Sequence, residues 1–293
     1  MNERLNVIEQ LGRWLNWPRF FFLLVLLVFL TTILFPFYWM VSSSFKTEAE
    51  IGGREPVYIP SALRWDAYQE LAEFWNFGRN IVNSVKVAVP TSLIAVILST
   101  MGAYAVARLH FRGRDFLLNS ILMVYLFPGI LLIIPLFSMV TRIGAAIGFS
   151  VQDNLPVLIV TYLAQTLPVA LYMLANYFRT IPAEIEQAGL IDGCSRASVI
   201  WRITLPMAIP ALISVAIYTF MIAWNEFLYA LVFLNDRFMF TMPIQINTIF
   251  NDPDPRPHVV MAASTIMTLP VVFLFLGLER FLAEGLTAGG VKG

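Results

Sequence analysis

Six stretches of the chain stay apolar for twenty residues or more, and short polar segments separate them. They are Phe20–Met40, Val87–Val106, Phe116–Val140, Leu155–Phe178, Pro206–Leu234 and Val259–Phe281. A hydrocarbon core about 30 Å thick is crossed by roughly 20 residues rising about 1.5 Å each. Helices satisfy all their own backbone polar groups, which lipid cannot do. The pattern therefore predicts an all-α, polytopic membrane protein with six transmembrane helices. Pro36, Pro90, Pro128, Pro135, Pro168 and Pro270 fall in or at the edges of these spans, where proline is tolerated and can kink a helix. Phe20–Met40 is longer than a leader's apolar core and no small-residue cleavage pattern follows it, so it reads as a retained first helix.

The polar segments set the expected orientation. Six spans put both termini on one side. With the N-terminus inside, the inner segments hold Arg4, Arg13, Arg19, Arg108, Arg112, Arg114, Arg179, Arg196, Arg202, Arg280 and Lys292. The outer segments hold eight: Lys46, Arg54, Arg64, Arg79, Lys86, Arg142, Arg237 and Arg256. Basic residues collect on the cytoplasmic side, so both termini are expected there. Two outer segments are long, Val41–Lys86 and Asn235–His258, and the second ends in Asp252-Pro253-Asp254-Pro255-Arg256-Pro257, where alternating prolines break regular structure. No internal repeat or linker appears, so residues 1–293 read as one domain.

Composition agrees with lipid as the solvent. The 293 residues are 58% hydrophobic and 13% charged, against about 25% charged in a soluble domain, and the mean hydropathy is +0.74. The formal net charge is zero, which gives no sign of nucleic-acid binding. One cysteine, Cys194, and two distant histidines, His110 and His258, offer neither a disulfide nor a metal-ligand spacing. None of the three lysines, Lys46, Lys86 and Lys292, lies in a phosphate-binding loop, so the chain has no nucleotide site of its own. No catalytic motif is present. An intramembrane enzyme would need paired acid and base groups in the spans, and only one carboxylate stands out.

That carboxylate is Glu226, in Trp224-Asn225-Glu226-Phe227-Leu228-Tyr229. An ionisable residue at depth faces a cavity or a partner. Asn225 and Glu226 could exchange hydrogen bonds with solute hydroxyls while Trp224 and Tyr229 offer apolar faces, which suits a sugar. Equally, Glu226 could pair with a neighbouring helix. Ser264, Thr265, Thr268, Gln165 and Asn176 are lesser candidates, since such residues more often bond backbone carbonyls.

The segment 179–206, RTIPAEIEQAGLIDGCSRASVIWRITLP, is the most informative. Pro182 and Glu184 suit a helix start. Ile185, Ala188 and Gly189 recur at helical spacing and form a small apolar stripe. Asp192-Gly193 ends the helix, because glycine accepts positive φ. A second short helix is predicted through Ser198 and Trp201 into Leu205-Pro206. On residues alone this is either an interfacial connector or a docking element.

The segment resembles the Glu-Ala-Ala (EAA) loop of ABC-importer permeases. Gly193 is followed ten residues later by Ile203, then Leu205-Pro206, with Asp192 before the glycine. Aligned on Gly193, the triplet reads Gln187-Ala188-Gly189 with Glu186 immediately before it. The tail Gly285-Leu286-Thr287-Ala288-Gly289-Gly290-Val291-Lys292-Gly293, the start Phe35–Met40 with Ser44-Phe45-Lys46, and Ala103–Arg108 are similar to the second permease subunit of maltose-type carbohydrate importers. The resemblance implies a six-helix permease in the cell (inner) membrane that translocates a sugar or oligosaccharide and pairs with a homologous permease. It further implies a separate ATPase dimer carrying ATP and Mg, and an extracytoplasmic solute-binding protein. The ATPase-coupling residues would be Glu184, Glu186, Gln187, Ala188, Gly189, Asp192, Gly193, Ile203, Leu205 and Pro206. A secondary transporter with Glu226 as its proton or ion site is the rival reading, and it leaves the loop unexplained.

Overall fold

The computed structural model describes residues 17–254 and 256–290. Arg4, Arg13, Pro255 and the last three residues of the tail, Lys292 among them, lie outside the described residues. All regular elements among the described residues are helical. They are α1 (Trp17–Ser43), α2 (Glu48–Gly52), α3 (Asp66–Glu73), α4 (Phe77–Arg108), α5 (Arg114–Tyr125), α6 (Gly129–Ala146) and α7 (Leu155–Thr180). Then come α8 (Ala183–Ile191), α9 (Arg196–Val199), a π-helical turn (Ile200–Thr204) and α10 (Leu205–Met207). The chain closes with α11 (Ile209–Asn225), α12 (Leu228–Phe233), α13 (Met242–Phe250) and α14 (Pro257–Gly290). Five helices are long and apolar enough to cross a membrane, namely α1, α4, α6, α7 and α14. The pair Arg196–Met207 and Ile209–Asn225, bent by 73°, makes a sixth when counted as one span.

Two expected spans are broken. Phe116–Val140 is divided into α5 and α6 at Leu126-Phe127-Pro128. Proline has no N–H to continue a ladder and drives its predecessor out of the helical region. Pro128 sits in extended conformation just ahead of α6. Pro206–Leu234 is broken twice, at Ala208 and at Glu226-Phe227. The α4 helix also starts at Phe77, ten residues before the apolar run, because Asn80, Asn83 and Ser84 are buried polar residues that hydropathy counts against burial. Asn80 and Asn83 donate to the Phe240 carbonyl at 2.9 and 3.1 Å, and Ser84 accepts from the Met242 N–H at 2.8 Å. Pro257 opens α14, at a first-turn position where its missing N–H goes unneeded.

The bundle is organised around α4, which packs most extensively on α7 and then on α11. Ala88, Ser92, Ala95, Ser99 and Ala103 are all buried along one face of α4. Small residues at helical spacing let backbones approach closely where lipid supplies no hydrophobic drive between helices. Ser92 shares a hydrogen bond with Thr219 at 3.0 Å and donates to the Ala216 carbonyl at 2.9 Å, tying α4 to α11. Gly102 meets Leu171 of α7 so closely that an added Cβ would lie 2.8 Å from its Cδ1. Two apolar clusters result. One gathers Phe77, Tyr162, Trp224, Phe233 and Met242 near one end of the bundle. The other gathers Ala103, Leu174, Phe178, Ala208 and Val215 near the end that carries α8. By contrast α1 is exposed along its apolar length and touches the rest of the chain chiefly through α14.

Candidate functional site

At the end of the bundle carrying α8, segment 183–206 forms two short arms joined by a tight turn. The turn is a complete Schellman motif: Cys194 N–H donates to Gly189 O at 3.0 Å and Gly193 N–H to Leu190 O at 3.1 Å. Gly193 adopts φ +86°, which glycine reaches without steric penalty. Ser195 then caps α9 by accepting from the Ser198 N–H at 3.2 Å. Gly189 allows the arms to close. A Cβ there would lie 2.8 Å from Ile203 Cδ1 and 3.3 Å from Val199 Cγ2.

The apolar stripe of α8 is divided between its two faces. Ile185 and Ala188 are exposed, and the buried pair is Glu186 and Gly189. Glu186 faces inward because its carboxylate has partners there. Arg108 Nε donates to Oε1 at 2.9 Å, Thr204 Oγ1 to the same oxygen at 3.1 Å, and Tyr104 Oη to Oε2 at 3.2 Å. Arg108 also donates through Nη2 to Ile181 O at 2.8 Å, just beyond the end of α7. A charge is buried without penalty only when it is paired and its remaining acceptor sites are filled. Arg108, Tyr104 and Thr204 are not among the coupling residues expected from the sequence, although all three lie in the segments that carry the resemblance. Their signal was positional: they flank the loop from α4 and from its own second arm.

The remaining loop residues divide cleanly. Glu184, Gln187, Ala188, Asp192, Gly193 and Pro206 are exposed, while Ile203 and Leu205 are partly buried against the bundle. Ile191 and Trp201 project to 85% and 73% exposure. Two large apolar side chains held that far out by a braced turn make a surface suited to a partner.

Near the other end, Glu226 lies in the break between α11 and α12. Its carboxylate accepts from the Tyr229 N–H at 2.8 Å and the Ala230 N–H at 3.1 Å, satisfying the open first turn of α12. It borders a cavity of about 400 Å³ shared with Thr161, Gln165, Tyr218 and Tyr229. Tyr229 donates to Gly129 O at 3.2 Å, and Gln165 Nε2 is buried without a partner. Of the four residues expected on a solute pathway, Glu226 and Tyr229 thus line a cavity. Trp224 does not: it is 1% exposed, stacked on Phe220 and donating to Met267 O at 3.0 Å. Asn225 is exposed and donates to Met221 O of its own helix at 2.8 Å. Ser264, Thr265 and Thr268 likewise donate one turn back to backbone carbonyls. No group of three or more His, Cys, Asp or Glu able to hold a metal occurs among the described residues.

The model of a family described as "Binding-protein-dependent transport system inner membrane component" matches residues 95–287. The inner membrane ABC transporter permease protein YcjP of Escherichia coli (strain K12) is 43% identical over 270 residues, covering 92% of this chain and 94% of that protein. The trehalose transport system permease protein SugB of Mycobacterium tuberculosis is 33% identical over 265 residues, covering 89% and 93%. The trehalose/maltose transport system permease protein MalG of Thermococcus litoralis is 34% identical over 261 residues, covering 89% and 92%. Among solved structures, a chain of a bacterial ABC transporter involved in import of the acidic polysaccharide alginate superposes with a TM-score of 0.76 at 20% identity. That match covers 90% of this chain and 97% of that one, and it establishes likeness of fold. The matched residues take in both the two-armed loop and the cavity at Glu226, and the chain belongs to the family of inner membrane components of binding-protein-dependent transport systems.

Proposed function

We propose that this chain is the membrane-spanning permease subunit of an ABC importer for a sugar or oligosaccharide, with ATP hydrolysed on a separate subunit. The observation that carries the reading is the braced loop 183–206. Its turn, its closed arms and its buried carboxylate fix Ile191 and Trp201 outward, as a surface that docks in a cleft on an ATPase must be fixed. Relatives whose names specify trehalose, maltose or diacetylchitobiose favour a carbohydrate solute. The Glu226 cavity, with polar Gln165 and Thr161 beside the rings of Tyr218 and Tyr229, has the mixed chemistry a sugar needs.

A homologous permease would complete the pathway, since one chain leaves α1 exposed and the cavity only partly enclosed. Residues 1–293 act together as one permease domain. The loop faces the cytoplasm with both termini, consistent with Arg112 and Arg114 at the same end. ATP and Mg belong to the ATPase dimer. A solute-binding protein docks at the opposite end, where Arg256 pairs with Glu70 of α3 and with Asp254.

Co-purification tests the reading. The tagged chain, gently solubilised from its own host, should bring down a P-loop ATPase and a second permease. Gly193→Pro abolishes the positive φ and the N–H donated to Leu190, and should lose the ATPase while keeping the permease pair. A chain that purifies alone and moves solute without ATP would overturn the proposal in favour of ion coupling at Glu226.

A further inference from the structure

Loop 183–206 is covalently continuous with α7 before it and α11 after it, but not with α4, on which both of those helices pack. If the loop moved α7 and α11 alone, the tight α4–α7 contact at Gly102 and the α4–α11 hydrogen bonds at Ser92 would have to shear. Packed interfaces of this kind switch as units and do not deform continuously.

One carboxylate spans that gap. Glu186 on α8 takes donors from two side chains of α4, Tyr104 and Arg108, and from Thr204 on the second arm of the loop. Arg108 simultaneously holds the carbonyl of Ile181, where α7 ends. Four elements therefore meet at a single ion pair whose two side chains are each 12% exposed. Burial on this scale limits screening by water and salt. The carboxylate has no free face toward a partner: the outward surface of the loop belongs to Glu184, Gln187, Ile191 and Trp201.

We propose that Glu186 is a positioning residue that clamps the loop to the end of α4, so that displacement of the loop carries α4 with α7 and α11 as one body. The proposal rests on the importer reading for the source of that displacement. Its role is internal transmission and not contact with the ATPase.

The test uses the assembled transporter in liposomes, reading solute moved per ATP hydrolysed. Wild-type chain that recovers no ATPase would defeat the importer reading itself, before the clamp is questioned. Given an assembled wild type, Glu186→Gln should retain the ATPase at wild-type recovery, while solute moved per ATP falls about tenfold, within the range of measured coupling energies. Tyr104→Phe and Thr204→Val each remove one donor and keep the ion pair, so both should fold and give smaller drops of about twofold to threefold. Loss of the ATPase in Glu186→Gln, with Glu184→Gln unaffected, would overturn the clamp in favour of a direct contact. An unchanged solute-to-ATP ratio in all three clamp variants would reduce the cluster to packing. Should Glu186→Gln fail to fold, Tyr104→Phe and Thr204→Val decide alone. A second readout uses spin labels at His110 and Glu184, both exposed, in a Cys194→Ser background. Their separation should stay fixed between nucleotide-free and ATP-bound states; a distance that changes on ATP binding would also overturn the proposal.

Discussion

Glu186 and Glu226 both stand where the helical frame is interrupted, and the two ends of the molecule hold them differently. Glu186 accepts from three side chains, two of which come from residues 78 and 82 positions away on α4. Glu226 accepts from two backbone N–H groups only three and four positions ahead. The first is a long-range tie that closes a surface to water. The second is a local cap that leaves its residue on the wall of a cavity. One carboxylate fixes helices relative to each other, and the other caps the helix that follows a break.

The sharpest way to break this contrast is Arg108→Ala. It strands the Glu186 carboxylate in a buried site, and removing one member of a buried pair costs about 3–5 kcal/mol. Thermal unfolding in detergent should register the largest loss of stability of any variant considered. Gly189→Leu attacks the same end through volume. With Ile203 already 2.8 Å from a Cβ, overpacking should cost about 1–3 kcal/mol and pry the arms apart, seen as faster hydrogen exchange at Gly193 and Cys194.

Glu226→Ala should be milder, at about 1 kcal/mol, the usual worth of a helix cap. Its mark should be local, with accelerated exchange of the Tyr229 and Ala230 amides and a raised KM for solute. Should it destabilise the fold as much as Arg108→Ala, the distinction between tie and cap fails. Trp224→Phe removes the donor to Met267 O and should cost about 1 kcal/mol while leaving the solute KM unchanged, which would separate packing from pathway within the stretch 224–229.

The smallest effect concerns a third carboxylate outside the spans. Hydrogen bonds from Ser61 and from the Thr47 N–H depress Glu50 to about 2. A depressed carboxyl adds stability above its unfolded value, about 4.3, and loses it as pH falls toward the folded value. The α2 clasp should therefore hold from neutral pH to about 4 and loosen only between there and about 2, measurable as exchange of the Glu50 and Ser61 amides. Loosening near pH 6 would contradict the depressed value.

Much of this frame was legible in the sequence, and the misses share a cause. Apolar runs located five spanning helices, and Asp192-Gly193 located the turn, since both signals are local. Hydropathy could not see that Pro128 divides Phe116–Val140, because the residues on both sides of the break remain apolar. Periodicity grouped Ile185, Ala188 and Gly189 in one stripe, and it had no means of placing a charged residue on the inward face of α8. Glu186 takes that inward place because its partners Tyr104 and Arg108 come from α4, too far along the chain for spacing to reveal. Glu226 and Tyr229, chosen as chemistry in an apolar context, line a cavity. The same rule promoted Trp224 and Asn225, whose polar groups are occupied by carbonyls of α14 and α11.

The π turn at Ile200–Thr204 has a consequence of angle. An α-helix advances about 100° per residue, so one extra residue in a turn rotates everything beyond it by that amount. The buried positions along this arm are Val199, Thr204, Ala208 and Val215. Their first interval is five residues and their second four, so the surplus residue is absorbed within the π turn. An uninterrupted α-helix in register with Val199 would aim Thr204 about 100° away from Glu186. The π turn therefore takes up the surplus residue: it keeps Thr204 aimed at the carboxylate while Trp201 stays turned outward, and a chain shortened by one residue between 200 and 204 would hold the same two directions as a regular α-helix.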